Sequence, residues 1–268
     1  MDTYKVFGNP ITQSLSPVIH TQFAKQTKQE LTYQKQYVEL GQFKQAITEF
    51  IHQGGMGANV TAPFKEDAML LCDKLSEQAQ LAGAVNTLSF DQGIIQGDNT
   101  DGVGLVNDLK WHNVTLAKSR VLILGAGGAA KGVVEPLLAQ GLQKLVIANR
   151  TVSKAQDIVT KFNHPKFESA DFTDVANLSF DVIINATSAS LSAQLPAVDP
   201  SIFNQTTCYD MVYAKQPTRF LTWAKACGAK QCIDGLGMLV EQAAVSFSIW
   251  RGVYPDTQKI RQILRQTI

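Results

Sequence analysis

A short apolar run that ends in a glycine-rich turn constrains the fold more than any other feature of this sequence. Residues 121–124 are all branched aliphatics, and they lead directly into Gly-Ala-Gly-Gly-Ala-Ala at 125–130. Such a run, followed by an Ala- and Leu-containing segment, predicts a buried strand, a tight turn and the start of a helix. In this G-x-G-x-x-A spacing, Gly125 permits the turn, Gly127 permits close approach of a ligand, and Ala130 keeps helix and strand in contact.

The same turn predicts a binding site for an anion. Backbone amides of a first helical turn point out of the helix, and the helix dipole adds partial positive charge there. The pyrophosphate of a dinucleotide fits such a site, and a tight turn without a ligand is the alternative. The flanking strand and helix favour a dinucleotide.

The end of the next predicted strand indicates which dinucleotide it is. A NAD site usually has an Asp or Glu about 20 residues past the glycines, where it bonds the ribose 2′-hydroxyl. Here the strand Lys144–Ala148 is followed by Asn149, Arg150 and Thr151, with Lys154 one turn later. A guanidinium pairs with a 2′-phosphate in bidentate geometry, and Thr151 can cap the next helix and donate to the phosphate. We therefore predict NADP, with solvated surface charges as the alternative.

Length and composition set wide limits on the fold. The 268 residues can form a large core in one domain or two, and 45% hydrophobic with 18% charged residues is typical of soluble globular proteins. A net charge of +1 gives no reason to expect nucleic acid or an anionic membrane as a partner. We see no signal peptide at the N-terminus and no apolar run near the ~20 residues that span a bilayer, so we expect a cytoplasmic protein.

The cysteines and histidines do not form a metal-binding pattern. None of the four cysteines is part of a C-x-x-C motif, and the four histidines do not cluster near them. We therefore expect no metal, and buried thiols in the reduced state.

The order of predicted strands and helices indicates an α/β protein. Strands and helices alternate over the first hundred residues, which favours a mainly parallel sheet. In this part we expect a helix capped by Ser16 and another opened by Pro63. A βαβαβ series follows from about Asn99 and is typical of a doubly wound, Rossmann-type domain. Two helices, over 236–250 and 257–266, end the chain.

Small polar side chains are concentrated in the loops of the first part. Such residues usually form turns or cap helices, and that is the alternative to a function here. A polyhydroxylated substrate would need such a lining, because each buried hydroxyl left unpaired costs ~1–3 kcal/mol. The side chains are Ser14, Ser16, Asn59, Thr61, Asn86, Thr87, Asn99 and Thr100.

Two charged residues are candidates for acid–base chemistry. Lys65 is predicted in the first turn of a helix, where it faces the positive end of the dipole, which suits a lysine that exchanges a proton. A solvated lysine paired with Glu66 or Asp67 is the alternative. Asp101 lies where the two parts meet, and its position fits either a helix cap or a catalytic carboxylate.

Taken together, the motifs show a resemblance that runs along nearly the whole chain. The chain resembles the shikimate dehydrogenases. Ordered motifs of this number and length are highly specific. They are FGNPI at 7–11, SxSP at 14–17, GANVTxPFKE at 57–66, GAVNT at 83–87, GDNTDG at 97–102, GAGGA at 125–129, NRT at 149–151, INATS at 184–188 and DGLGMLVxQA at 234–243.

The resemblance implies a reaction and a domain arrangement. The family reaction is the reversible reduction of 3-dehydroshikimate to shikimate with NADPH, a step toward chorismate and the aromatic amino acids. The implied fold has a substrate domain at 1–101, a Rossmann NADP-binding domain at 102–235, and C-terminal helices at 236–268 that return to the first domain. We expect a monomer or homodimer that binds a small-molecule substrate.

The resemblance also implies roles for individual residues. Lys65 and Asp101 match the catalytic pair, in which Lys65 exchanges a proton with the C3 oxygen and Asp101 orients it. Residues matching the substrate site are Ser14, Ser16, Thr61, Lys65, Asn86, Asp101, Tyr213 and Gln242. Residues matching the cofactor site are Gly125, Ala126, Gly127, Gly128 and Ala129 at the pyrophosphate, Asn149, Arg150, Thr151 and Lys154 at the 2′-phosphate, and Met211 and Gly235 near the nicotinamide.

The sequence departs from the family pattern at three places, none of which is a proposed catalytic position. Ala189-Ser190 stands where many relatives have a glycine- or proline-containing turn, and the segment 214–218 is shorter than in some relatives. Gln13 stands where a histidine is frequent. These departures concern loop geometry near the nicotinamide.

Two other functions are compatible with this fold. Quinate/shikimate dehydrogenases with relaxed cofactor use tend to carry an acid near the end of the second Rossmann strand, and the sequence at 149–151 argues against one. A non-catalytic NADP-binding sensor would have no need to keep both Lys65 and Asp101.

Overall fold

A computed structural model describes residues 1–187 and 195–268, and its contacts divide the chain into two units. The first unit comprises Met1–Gly104 and Val240–Leu264, and the second comprises Leu105–Leu239 and Arg265–Ile268. Residues 188–190, which include one of the departures from the family pattern, lie outside the described residues.

The first unit contains a six-stranded sheet with helices. Its strands are β1 (Asp2–Gly8), β2 (Leu31–Tyr37), β3 (Gly55–Val60), β4 (Lys74–Leu75), β5 (Thr87–Asp91) and β6 (Ile94–Asp98). Its first helices are α1 (Ser16–Thr27), α2 (Phe43–His52), α3 (Lys65–Leu70) and α4 (Glu77–Ala82), and α5 (Asp101–Trp111) leads into the second unit.

The pairing of these strands confirms the mainly parallel sheet. The strand order is β2-β1-β3-β5-β6-β4. Strand β1 runs parallel to β2 and β3, and β4 runs parallel to β6. Only β5 is antiparallel to its neighbours, β3 and β6. The β5–β6 hairpin turns at Gln92 and Gly93, which both have positive φ, as tight hairpin turns require.

The second unit contains a parallel sheet in doubly wound order. Its strands are β7 (Arg120–Leu124), β8 (Lys144–Ala148), β9 (Phe167–Ala170), β10 (Val182–Asn185), β11 (Thr207–Asp210) and β12 (Gln231–Asp234). Its helices are α6 (Gly128–Leu138), α7 (Val152–Phe162) and α8 (Arg219–Ala226). The strand order is β12-β11-β10-β7-β8-β9. The direction of this order changes between β7 and β10, and doubly wound sheets bind ligands at this topological switch point.

The apolar run that begins the glycine turn forms the centre of this second sheet. All four residues at 121–124 are fully buried, because helices cover both faces of a parallel sheet. The structure thus confirms the predicted Rossmann-type unit.

Two helices end the chain, α9 (Leu236–Arg251) and α10 (Gln258–Thr267), and the segment Val240–Leu264 belongs to the first unit. Within that unit, the Trp250 indole donates to the carbonyl of Leu88 at 3.0 Å. Arg261 on α10 forms a buried ion pair with Glu241 on α9 at 2.7 Å. The return of the C-terminal helices to the first unit is therefore confirmed.

Two helix starts differ from the prediction. Leu15 takes the cap position before α1, so Ser16 is the first helical residue and does not cap the helix. Helix α3 begins at Lys65 and not at Pro63, which lies in a turn with a cis bond to Ala62. Helix α1 therefore starts one residue earlier than predicted, and α3 starts two residues later.

No helix among the described residues is both long enough and apolar enough to cross a membrane.

Candidate active site

Four loops of the first unit meet at one edge of its sheet. The loops after β1 and β3 leave the same edge, because these strands are parallel neighbours. Strand β5 starts at this edge and β6 ends there, since Thr87 pairs with Asn59 on β3 and with Asp98 on β6. The sheet therefore gathers the segments that carry Ser14, Ser16, Thr61, Lys65, Asn86 and Asp101.

Lys65 and Asp101 are in direct contact. The Lys65 Nζ donates to Asp101 Oδ2 at 2.5 Å, and the two side chains are 30% and 15% exposed. Asp101 is the first residue of α5, where the helix dipole stabilises a carboxylate. Its side chain faces Lys65, while its backbone amide donates to Asn99 Oδ1 at 3.2 Å. The pair is partly buried, yet it keeps enough exposure to meet a ligand.

Asn86 holds the other oxygen of the Asp101 carboxylate. Its Nδ2 donates to Asp101 Oδ1 at 2.8 Å. Gln242, on α9, lies close to the same cluster, with its Oε1 3.5 Å from the Thr100 hydroxyl. The structure thus brings four of the predicted substrate-site residues into one connected group.

The other predicted substrate residues lie in the loops after β1, β3 and β11. The Ser14 and Ser16 hydroxyls are 3.2 Å apart, and Ser16 is 7% exposed. Thr61 follows β3 directly, and its amide donates to the carbonyl of Phe7 at 2.9 Å. Tyr213 belongs to the second unit, where burial raises the pKa of its phenol.

A cavity of about 460 Å³ opens at the glycine turn of the second unit. Gly125 has φ +104, and a Cβ there would lie 3.0 Å from the Thr187 methyl, so the position requires glycine. A Cβ at Gly127 or Gly128 would meet nothing within 4 Å, which leaves open space at the start of α6. This open helix start can accept a pyrophosphate.

The cavity combines predicted cofactor residues with others that sequence reasoning missed. Predicted residues in its lining are Gly125, Ala126, Gly127, Gly128, Ala129, Asn149 and Arg150. The additional lining residues are Phe172, Ala186, Thr187, Leu195, Pro196 and Ala197. Thr187 follows β10, and its place beside the glycine turn depends on strand order, which the local sequence pattern does not reveal.

The segment after β8 provides the basic end of this cavity. Arg150 is exposed and lines it, and the Asn149 side chain donates to the carbonyl of Thr151 at 2.9 Å. Thr151 takes the cap position of α7, although its side chain makes no capping bond. Thr151 and Lys154 are not among the cavity-lining residues. A cation at this place fits the 2′-phosphate of NADP, so the donor set suits that cofactor.

Met211 and Gly235 lie against each other at the ends of neighbouring strands. Met211 follows β11, and its amide donates to the carbonyl of Asn185 at 3.0 Å. A Cβ at Gly235 would collide with the Met211 carbonyl, so this close approach requires glycine.

The cysteines do not suggest a metal or a reactive thiol. Cys208 is buried and the other three are half-buried, all as free thiols. Burial raises the pKa of Cys72 to about 11 and that of Cys208 to about 12, which keeps both thiols protonated. Within residues 1–187 and 195–268, no three His, Cys, Asp or Glu side chains converge in a way that could hold a metal ion.

A doubly wound sheet with an open glycine turn, together with a partly buried Lys–Asp pair among hydroxyl and amide side chains, is typical of a dinucleotide-dependent α/β oxidoreductase. Three family models match successive parts of the chain. The shikimate dehydrogenase substrate binding domain matches residues 6–88, the shikimate/quinate 5-dehydrogenase model matches 109–196, and the shikimate 5′-dehydrogenase C-terminal domain matches 235–265. The chain belongs to the shikimate dehydrogenase family.

Individual relatives agree with this assignment. A protein from Colwellia psychrerythraea named Shikimate dehydrogenase (NADP(+)) is 56% identical over 100% of this chain and 98% of its own length. The crystal structure of an Ael1 enzyme from Pseudomonas putida has a TM-score of 0.96 at 42% identity and covers 98% of both chains. Shikimate 5-dehydrogenase from Thermus thermophilus, in complex with NADP(H) and shikimate, has a TM-score of 0.90 at 31% identity and covers 100% of both chains. The resemblance inferred from the motifs is thereby confirmed.

Proposed function

We propose that the chain is an NADP-dependent shikimate dehydrogenase, which catalyses the reversible reduction of 3-dehydroshikimate to shikimate. The observation that carries this proposal is the Lys65–Asp101 contact at 2.5 Å, next to the amide of Asn86, which also bonds the Thr100 hydroxyl. The names of the relatives, at up to 56% identity over the whole chain, support the same substrate and cofactor.

Lys65 serves as the general acid in the reduction. NADPH, when bound, supplies the hydride that adds to the C3 carbonyl carbon. The electron pair of the C=O bond moves to oxygen, and the Lys65 ammonium donates a proton to that oxygen. Asp101 orients the lysine through the bond at Oδ2 and balances its charge before the transfer. In the oxidation of shikimate the same lysine accepts the proton.

The polar side chains at this edge of the first unit's sheet bind the substrate. Ser14, Ser16 and Thr61 supply hydroxyls at the edge where the loops after β1 and β3 meet, and Asn86 and Gln242 supply amides. Tyr213, in the second unit, is assigned to the substrate because the family resemblance implies it, and burial raises the pKa of its phenol. These groups fit a carboxylate and three ring hydroxyls or carbonyls, because each has a donor or acceptor that the substrate can pair.

The second unit binds the cofactor. Gly125, Ala126, Gly127, Gly128 and Ala129 hold the pyrophosphate, and Asn149, Arg150, Thr151 and Lys154 hold the 2′-phosphate. Met211 and Gly235 contact the nicotinamide. The open space beside Gly127 and Gly128 and the exposed guanidinium of Arg150 support this assignment.

The remaining properties are proposals of the same kind. We assign the substrate domain to 1–101, the Rossmann domain to 102–235 and the returning helices to 236–268. A cytoplasmic location agrees with four free cysteines, since disulfides form mainly in oxidising compartments. We also assign a monomer or homodimer, and the absence of a nucleic-acid partner agrees with the net charge of +1.

Growth complementation tests the proposed function. A bacterial strain that lacks its own shikimate dehydrogenase requires aromatic amino acids, and this chain should restore growth without them. The Lys65→Ala variant, expressed to the same level, should not. Failure of the well-expressed wild-type chain to restore growth would refute the proposed function.

A further inference from the structure

A chain of buried hydrogen bonds leads from the sheet of the first unit to the Asp101 carboxylate. Its members are almost fully buried, with 7% exposure for Tyr33, 6% for Asn59, 1% for Thr87 and 2% for Asn86. Of these four, only Asn86 has a role in the proposed function. Buried polar side chains must be paired, and such networks fix side-chain orientations in a low dielectric.

At the Asp101 end of this network, the donor and acceptor of each hydrogen bond are fixed. The backbone amide of Thr100 donates to Asn86 Oδ1 at 2.9 Å, and a backbone N–H can only donate. The Asn86 oxygen therefore faces Thr100, and its NH₂ group faces Asp101 Oδ1 at 2.8 Å. Asn86 thus presents a donor to the carboxylate as long as its amide keeps this orientation.

At the Tyr33 end of the network, the donor and acceptor of each hydrogen bond are fixed too. The Asn59 Nδ2 donates to the backbone carbonyl of Asn86 at 3.1 Å, and a carbonyl can only accept. Asn59 Oδ1 consequently accepts from the Tyr33 hydroxyl at 2.7 Å. Burial raises the pKa of Tyr33 well above its usual value, so this phenol keeps its proton and donates.

Thr87 connects these two fixed amides. Its hydroxyl accepts from Asn59 Nδ2 at 3.2 Å and donates to Asn86 Oδ1 at 2.9 Å. The hydrogen bonds then all run in one direction, from Tyr33 through Asn59, Thr87 and Asn86 to Asp101. Bonds aligned in this way polarise and strengthen one another.

A serine on the C-terminal helix α9 supports the connection. The Ser246 Oγ lies 2.8 Å from Thr87 Oγ1 and 3.1 Å from Asn59 Nδ2. It also lies 3.0 Å from the carbonyl of Gln242, so its one proton can serve either Thr87 or that carbonyl. Ser246 thereby ties the helix that carries Gln242 to the same network.

We propose that Thr87 is a positioning residue, whose hydroxyl ties Asn59 to Asn86 and so holds the Asn86 amide against Asp101. This inference rests on the proposed function, because it assigns Thr87 to the Lys65–Asp101 pair of that reaction. Thr87 contacts neither member of the pair directly and acts through Asn86. A displacement of about 1 Å in a catalytic group can cost about 100-fold in rate, so an indirect residue can matter.

Variants of Thr87 that keep or remove the hydroxyl test the proposal. Thr87→Val is nearly isosteric and removes the hydroxyl, whereas Thr87→Ser keeps it and loses a methyl group. We expect kcat for shikimate oxidation to fall about tenfold in Thr87→Val while KM changes less than about threefold, since the chemical step loses its alignment. Thr87→Ser should recover most of this loss.

A buried threonine of the second unit provides the matched control. Thr206 is 2% exposed, and its hydroxyl donates to the carbonyl of Phe203 at 2.8 Å. Thr206→Val also removes one buried hydroxyl and its hydrogen bond, and it should leave kcat within about twofold. Ser246→Ala gives a second probe of the network if Thr87→Val folds poorly, with an expected fall in kcat of about threefold.

A spectroscopic measurement separates this proposal from the proposed function. Hydrogen exchange of the Asn86 side-chain amide, followed by NMR in the protein without added ligand, should be about tenfold faster in Thr87→Val than in wild type or Thr87→Ser. If the wild-type chain does not oxidise shikimate but this pattern appears, the proposed function fails and the positioning of Asn86 stands. Unchanged exchange in Thr87→Val, or an equal loss of kcat in Thr87→Val and Thr87→Ser, would overturn the proposal.

Discussion

At the scale of single residues, the structure adds most to the interpretation of Lys65 and Asp101. The sequence pattern left Lys65 open to pairing with Glu66 or Asp67, and it left Asp101 open to capping a helix. In the structure the two side chains contact each other at 2.5 Å, although they are 36 positions apart in the chain. A contact of this kind depends on how β3 and β6 are placed in the sheet, so spacing alone could not reveal it.

Lys65→Ala should lower kcat strongly and change shikimate binding little. The ammonium group would supply a proton in the transition state, and loss of a general acid typically costs about 100- to 10,000-fold. Steady-state kinetics and the Kd for shikimate measure the two effects separately. Lys74→Ala, an exposed lysine in the same unit, is the control and should leave kcat unchanged. Activity of Lys65→Ala within tenfold of wild type would remove the lysine from the proton transfer.

The residue type at position 150 was enough to predict part of the cofactor site. The missing acid at the end of β8 and the arginine in its place predicted a 2′-phosphate site, and Arg150 does line the glycine-turn cavity. Phe172 and Thr187 line the same cavity, although the sequence analysis assigned neither residue to the cofactor site. Their placement follows from the strand order, which brings the ends of β7 and β10 together.

At the scale of helices and strands, burial determines what the sequence can predict. The apolar strands β7 and β8 were predicted almost to the residue, because continuous apolar runs with turn residues at both ends are strong signals. Strands β4, β9 and β12 were not predicted. Each is short, and each lies at the edge of its sheet, where polar side chains are tolerated and no clear alternation develops.

The buried ion pair between α9 and α10 should be important for the stability of the first unit. Glu241 accepts from Arg261 at 2.7 Å and from the Tyr254 hydroxyl at 2.8 Å, and both charged residues are under 10% exposed. Glu241→Gln removes the negative charge that faces the buried Arg261 guanidinium at 2.7 Å. We expect the free energy of unfolding in urea to fall by about 3 kcal/mol.

An exposed ion pair offers the matched control for this substitution. Glu168 pairs with Lys144 at 2.7 Å, and its side chain is 58% exposed. Glu168→Gln should change the free energy of unfolding by less than about 1 kcal/mol, because solvent screens the pair. Equal effects of the two substitutions would show that burial of the Glu241 pair adds nothing to stability.

At the scale of the whole molecule, the return of the C-terminal helices was the feature least accessible to local patterns. The amphipathic helices themselves were predictable, but their partners lie far away in the sequence, as in the bond from Trp250 to Leu88. That placement entered the prediction only through the resemblance to a known family. Long-range packing of this kind depends on which faces fit together, and hydrophobic periodicity does not encode it.

The stability of the folded chain should fall as the pH is lowered, because of His20. The ring is fully buried, stacks on Tyr33 at 4.2 Å, and packs against Trp250. Burial lowers the pKa of His20 from 6.5 to about 3, with a weaker opposing effect from the Asn59 side chain. Between these two values the unfolded chain binds a proton that the folded chain does not, so the folded state loses about 1.4 kcal/mol per pH unit.

Urea unfolding at pH 7 and pH 5, followed by tryptophan fluorescence, measures this effect. We expect His20 to contribute a loss of about 2 kcal/mol over this interval, and we expect His20→Phe to lack that contribution. His52→Gln, at an exposed histidine, is the control and should keep the wild-type slope. If His20→Phe shows the same pH dependence as wild type, the buried histidine is not its source.

The most direct test of the whole account is the activity of the purified chain on shikimate or quinate, each with NADP+ or NAD+. We predict that kcat/KM is highest for shikimate with NADP+, by at least about tenfold over the other three pairs. Arg150→Ala should lower kcat/KM with NADP+ by about 10- to 100-fold, the value of a charge-assisted bond to phosphate, and should change it less than threefold with NAD+. Lys225→Ala, at an exposed lysine outside the glycine-turn cavity, should behave like wild type. Equal activity with both cofactors, or preference for quinate, would contradict the account.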